Sequence, residues 1–158
     1  IARLGRRNSF LMPIIAPRLL TLSDAAQALV LYNELTVGPK ATAPSDFAAV
    51  ITHSGTQVFG VFRDETLAAM VTLHLLPNVL WNARPYGLIE NVVTRKSLQR
   101  QGYGRCVLQA AIDAAWNANA YKLMLMTGQG RGATGFYEAI GFSSKDKFAM
   151  VLRNADQV

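Results

Sequence analysis

The residues best placed to do chemistry lie between Leu88 and Gly104, which read LIENVVTRKSLQRQGYG. Gly102 and Gly104 stand at G-x-G spacing just ahead of a helical pattern, and Arg95, Lys96, Arg100 and Arg105 concentrate positive charge around the same turn. Such a turn opens a strand into a helix N-terminus whose first N–H groups have no carbonyl partner, with the helix dipole adding positive potential. Glycines let the backbone curl closely round a pyrophosphate, where a Cβ would obstruct the turn or the ligand. The chemistry expected here is capture of a phosphorylated ligand by backbone amides. No Gly-Lys-Ser/Thr follows, which excludes a Walker A loop, and the third glycine of a dinucleotide-binding fingerprint would fall at Val107. Taken alone, the G-x-G also fits a plain strand-to-helix turn.

Other reactive side chains carry less. Cys106 falls within the long helix and reads as core or interface. His53 and His74 have no metal-like spacing to other ligands, so they read as two unrelated structural histidines, and no metal is expected. Trp116, Met124 and Met126 read as packing.

Apolar periodicity supplies the elements that must hold these residues. Arg18 to Leu22 reads as a first strand and Ser23-Asp24 as the N-cap of a helix over Ala25 to Leu35, ended by Gly38-Pro39. Ser45-Asp46 is expected to cap a second helix running through Ile51. Gln57 to Phe62 and Leu67 to Leu76 form a hairpin across Arg63-Asp64-Glu65. Pro77 to Pro85 connects it to a fourth strand, Leu88 to Thr94, with Leu80-Trp81 as a gating or packing element. From Tyr103, the positions Val107, Leu108, Ala111, Ile112, Ala115 and Trp116 mark one face of a long helix. Lys122 to Thr127 reads as a fifth strand, Gly128 to Gly132 as a loop, Thr134 to Ile140 as a short helix closed by Gly141, and Phe148 to Leu152 as a final strand. Strands and helices in this order make a single α/β layered domain with a mixed sheet.

The chain has 158 residues and a formal charge of +6, with hydrophobic residues at 51% and charged ones at 16%. That composition suits a well-buried core and argues against disorder. No apolar run reaches the ~18–20 residues of a membrane span. Half of the net charge comes from Arg3, Arg6 and Arg7. These lie in residues 1–12, read as a vector-derived or disordered extension ahead of a domain at 13–158, with a basic targeting peptide as the alternative. The remaining positive charge gathers at one loop, which suits a compact phosphate better than nucleic acid. The single cysteine fits a reducing compartment, and a cytoplasmic location is expected.

Two segments together carry a resemblance. They are Gln99-Arg100-Gln101-Gly102-Tyr103-Gly104, reading Q-x-x-G-x-G, and Phe136-Tyr137 followed by Gly141-Phe142. With the element order from Arg18 to Leu152, they resemble the GNAT superfamily of N-acetyltransferases. The resemblance implies a mixed, mostly antiparallel sheet flanked by helices, and acetyl-CoA as acyl donor. It implies that Val92, Val93 and Thr94 pair with the pantetheine arm like an added strand. Amides of Gln99, Arg100, Gln101, Gly102, Tyr103, Gly104 and Arg105 would hold the pyrophosphate, assisted by the Arg100 and Arg105 side chains. The fourth and fifth strands would splay to admit the thioester, and Tyr137 would protonate the departing thiolate. Glu90, two residues before Val92, is the candidate base for the attacking amine.

One position departs from the family pattern: the asparagine often found seven residues before the tyrosine is here Gly130, leaving Gln129, Arg131 or water to make its contact. The run Ile89-Glu90-Asn91-Val92-Val93 is similar to that of glucosamine-phosphate acetyltransferases, so an amino sugar or another small primary amine is the expected acceptor. A peptide N-terminus or lysine stays open, as does a homodimer. Asn91, Trp81, the first helices and Pro77 to Pro85 are candidates to border the acceptor. The rival reading is a non-catalytic acyl-CoA-binding regulatory domain; neither nucleic acid nor membrane is expected as a partner.

Overall fold

Thr56–Arg63 (β2), whose buried residues largely alternate, and Thr66–Leu76 (β3), a continuously buried run, pair as an antiparallel hairpin, turning at Asp64 with a φ of +53°. This hairpin is the centre of the fold in the computed structural model, which describes residues 16–35 and 38–154. Around it, Arg18–Leu19 (β1), Tyr86–Thr94 (β4) and Leu123–Leu125 (β5) complete a five-stranded sheet in the order β1-β2-β3-β4-β5. All neighbours are antiparallel except β4 and β5. Those two are parallel because the helix Tyr103–Asn117 (α4) carries the chain across one face between them. The expected extension at residues 1–12 lies outside the described residues.

The sheet separates two apolar cores. Val107, Leu108, Ala111 and Ala115 of α4 pack with Val71, Leu73 and Ile89 on one face. On the other, Ala28 and Leu31 of Ala25–Leu35 (α1) and Phe47 of Pro44–Ile51 (α2) pack with Val58, Met70 and Val93. Phe136 and Tyr137, from the short helix Thr134–Glu138 (α5), rest against the α4 side. Among the described residues, no helix is long and apolar enough to cross a membrane.

Ile89 and Val93 sit in opposite cores although four residues apart, which regular alternation would forbid. Their register explains it. Met70 pairs with Val93 and Thr72 with Glu90, so Asn91 and Val92 together oppose Val71, and Asn91 takes a φ of +52°. This β-bulge flips the strand's faces and bends β4 between its two ends.

Several boundaries differ from the sequence reading. Instead of Ser23-Asp24 capping α1 directly, a 3-10 turn over Leu22–Asp24 precedes it, and the Asp24 carboxylate accepts the Thr21 N–H at 2.7 Å. Pro44 starts α2 after Ala43, with no side-chain cap from Ser45 or Asp46. Leu80–Ala83 (α3) is a turn whose Trp81, Asn82 and Ala83 are left-handed, steadied by Trp81 stacking on Tyr121 at 5.5 Å. The expected final strand does not form. Phe148 and Leu152 are 100% and 99% exposed, and no neighbouring strand pairs with them among the described residues. His53 and His74 are not unrelated: the Thr56 hydroxyl bridges their Nδ1 atoms at 3.0 and 2.9 Å.

Candidate functional site

The parallel ladder between β4 and β5 is short. It runs from Gly87 opposite Leu123 to Ile89 opposite Leu125, and there β5 stops while β4 continues to Thr94. The two strands part at the bulge, and the opening between them is a cleft of about 630 Å³. Glu90, Asn91, Val92, Val93 and Thr94 form one wall, and Met126, Thr127 and Gly128 the other. Tyr137, Arg131 and Arg153 also line it, with Glu34 and Leu35 reaching in from the end of α1. A smaller hollow of about 440 Å³ beside Arg18, Asp24 and Glu65 lies apart from these residues. Its strongest charges, Arg18 and Asp24, satisfy each other at 2.8 Å.

Beyond Ile89, β4 bonds to β3 along one edge only, through Val93 opposite Met70 and Thr94 opposite Ala69. Its cleft-side edge is open to an extended ligand, although the Thr94 carbonyl accepts the Gln99 side chain at 3.4 Å. The Val93 side chain itself is buried in the α1 core, so that residue can serve a ligand only through its backbone.

At the other end of the same wall, α4 begins without a side-chain cap. Its Cys106 N–H bonds the Gly102 carbonyl at 3.0 Å, and no backbone carbonyl among the described residues accepts the amides of Tyr103, Gly104 or Arg105. The two glycines serve different needs. Gly102 caps the helix at a φ of +89°, where a Cβ would meet nothing but the conformation itself disfavours other residues. A Cβ on Gly104 would come within 2.8 Å of the Thr94 hydroxyl, so that glycine lets the helix approach the strand end. Gln99, Arg100, Gln101 and Arg105 are exposed around this turn, whereas the Tyr103 ring is buried and offers only its amide.

The four cations of the turn divide. Arg95 is spent on the fold: its Nε donates to the Leu67 carbonyl at 3.0 Å and its guanidinium lies 3.9 Å from Glu34. The Lys96 N–H donates to the same Glu34 carboxylate at 2.7 Å. Arg100 and Arg105 have no carboxylate within ion-pair distance among the described residues.

Tyr137 is fixed by its neighbours. Phe136 and Phe142 meet its ring edge-on at 5.1 and 6.2 Å. Gly141, at a φ of +112°, turns the chain so that the Phe142 N–H donates to the Tyr137 carbonyl at 3.1 Å. Burial pushes the phenol's pKa above its ordinary value, Arg131 opposes that rise, and Glu90 adds to it. The phenol therefore stays protonated at neutral pH and can act as an acid. Both candidate catalytic groups, Glu90 and Tyr137, border one cleft, and the Glu90 carboxylate acts on the Tyr137 phenol.

The Thr72 hydroxyl, on the residue opposite Glu90, and the Tyr32 hydroxyl are both buried without completing a hydrogen bond among the described residues. Burial raises the Tyr32 phenol, with the nearby Thr72 hydroxyl opposing the shift. Cys106 is half-buried in α4, and burial pushes its thiol up.

Some expected neighbours of the site are elsewhere. Trp81 and the Pro77–Pro85 connection stand at the Tyr86 end of β4, outside the cleft lining, while Asn91 is within it. Gly130 and Gln129 do not line the cleft, but Arg131 does. Met126, read as packing, is 54% exposed on the cleft wall, and Trp116 is 50% exposed. Arg153 was not singled out by sequence, because nothing local marks a residue brought in by the chain end.

Residues 26–142 match the model of the acetyltransferase (GNAT) family. A structure assigned as an acetyltransferase from Agrobacterium tumefaciens is 36% identical, covers 89% of this chain and 100% of its own, and superposes with a TM-score of 0.83. Glucosamine-6-phosphate N-acetyltransferase from Arabidopsis thaliana is 21% identical over 90% of this chain and 99% of its own, at a TM-score of 0.77. An acetyltransferase from Trypanosoma brucei is 21% identical over 88% and 99%, at 0.75. No curated protein matches the chain.

Proposed function

The chain belongs to the acetyltransferase (GNAT) family, and from that premise we propose that it moves the acetyl group of acetyl-CoA to a primary amine by direct attack. The observation that carries this reading is the parting of β4 and β5, which leaves an open strand edge between Glu90 and Tyr137. The uncapped amides of Tyr103, Gly104 and Arg105 suit a diphosphate, and Arg100 and Arg105 add charge that no carboxylate among the described residues neutralises. The open edge of Val92, Val93 and Thr94 suits the amide-rich pantetheine arm, which would add there as a strand does.

Acetyl-CoA supplies an activated thioester carbonyl when bound. Glu90 accepts the proton that the amine must lose, directly or through a water, as the new C–N bond forms. Tyr137 gives its phenolic proton to the sulfur as the C–S bond breaks. Asn91 borders the acceptor. A small amine or amino sugar is favoured, because the Ile89–Val93 run is similar to glucosamine-phosphate acetyltransferases and a fold relative bears that name.

Calorimetry with acetyl-CoA, followed by thiol release over a panel of amines, tests the proposal. Coenzyme binding together with turnover of at least one small amine is expected. Tight binding with no turnover on a broad panel would instead make the chain a coenzyme-binding module.

A further inference from the structure

Two arginines that line the cleft, Arg131 and Arg153, lie outside the phosphate turn. Arg131 follows β5, and its side chain folds across Gly128, with Cγ, Cδ and Nε 3.5–3.6 Å from where a Cβ would stand. Its Nη2 donates to the Leu35 carbonyl at 3.0 Å, which ties it to the end of α1. Arg131 is thereby tied to the helix that packs on the face opposite α4. It is still close enough to Tyr137 to oppose the rise of the phenol. A guanidinium has five N–H donors, and one bond to Leu35 leaves most of them for a ligand.

Neither Arg131 nor Arg153 has a carboxylate within ion-pair distance among the described residues. The cleft holds two acids. Glu34 is occupied by the Lys96 N–H and by Arg95, which leaves Glu90 alone at the bulge. Among the described residues, the cleft thus has one acid and two arginines without an ion-pair partner. A purely cationic amine would meet Glu90 but be repelled by the arginines.

We propose that the acceptor amine carries an anionic group, a phosphate or a carboxylate, which Arg131 and Arg153 hold while its nitrogen faces Glu90. This rests on the amine-acetylating reading above. Arginine suits the task because its planar fork binds both oxyanions in a bidentate manner.

The test uses matched amines with the full chain: glucosamine and its 6-phosphate, ethanolamine and its phosphate, tyramine and tyrosine. The anionic member of a pair should be favoured about tenfold or more in kcat/KM, the size expected of a charge-assisted hydrogen bond. The phosphate pairs and the carboxylate pair separate the two sources. R131Q and R153Q should each pull that ratio towards one, mainly through KM, and R131K should restore part of it. An arginine that only braced Leu35 would lower both members of a pair alike. The same pairs titrated into coenzyme A-loaded protein give a readout that does not need turnover. Equal affinity within every pair, or a ratio unmoved by R131Q, overturns the proposal. Anion-selective binding without acetylation of any amine would support it while sinking the transferase mechanism.

Discussion

A phenol can serve as an acid only while it keeps its proton, as an ordinary tyrosine does at neutral pH, and burial widens that margin at Tyr137. Because the shift is upward, turnover should show no loss from phenol ionisation below about pH 10, the ordinary tyrosine value, and fall only above it. Tyr137→Phe keeps the edge contacts with Phe136 and Phe142 and removes only the hydroxyl. It should lower kcat by about 10²-fold, in line with general acid catalysis. Acetyl-CoA affinity measured by calorimetry should change little; unchanged turnover would take Tyr137 out of the acid role. Thr72 is the opposite case. It lies 1% exposed across from Glu90, and its hydroxyl completes no hydrogen bond. Thr72→Val should therefore raise stability by about 1 kcal/mol in urea unfolding, since an unpaired buried hydroxyl is costly. A loss of stability would mean that this hydroxyl is bonded after all.

The elements place those residues, and the turn into α4 is the most exposed to substitution. Gly102→Val forces a β-branched residue to a φ of +89° and should cost about 1–2 kcal/mol while sharply weakening acetyl-CoA binding. A folded variant with normal affinity would show that the turn holds no phosphate. At the first corner, Arg18 holds the Asp24 carboxyl down to about 2 from 3.8, with the Thr21 N–H helping. A depressed acid stabilises the fold above its unfolded pKa, so this contribution is complete above about pH 4 and vanishes as pH falls through 2. Arg18→Gln should cost about 1–2 kcal/mol at pH 7, the half-exposed guanidinium being partly screened, and only about 0.5 kcal/mol at pH 2, where the native carboxyl is half protonated. Denaturant midpoints of the two proteins across that range check it. What the sequence made legible follows the same division between local and non-local. The β2–β3 hairpin, the bounds of α1 and the glycines at 102, 104 and 141 rest on local periodicity and turn chemistry. The bulge at Asn91 and Val92 was hidden because an extra residue exists only relative to β3, and IENVV reads as an unbroken strand. Phe148 to Leu152 shows how far strand composition goes without a partner: the run is wholly apolar, yet no strand pairs with it among the described residues. Arg131 was within reach of spacing, one residue past the position of the expected asparagine, whereas Arg153 enters the cleft through packing between distant segments, which no spacing records.

At the scale of the whole molecule, the sheet is continuous from β1 to β4 and interrupted only where β4 leaves β5. Two separate cores clamp it from above and below, so the opening is held by the packing of α1 and α4 on β4 rather than by a mobile loop. The fold thereby keeps the unpaired edge beyond Ile89 and the uncapped amides of α4 ready for a ligand. A ligand that supplies the missing strand and neutralises the helix N-terminus should bind the folded chain alone and stabilise it by mass action. At a concentration 100 times its dissociation constant that is about 2.7 kcal/mol. For a domain of this size it corresponds to a rise of roughly 5–10 °C in Tm. Acetyl-CoA and coenzyme A should both produce it, because both carry the pantetheine and the diphosphate. Adenosine alone should not, and added salt should shrink the shift by screening Arg100 and Arg105. A melting curve unmoved by saturating coenzyme would mean that the gap between β4 and β5 serves some other guest.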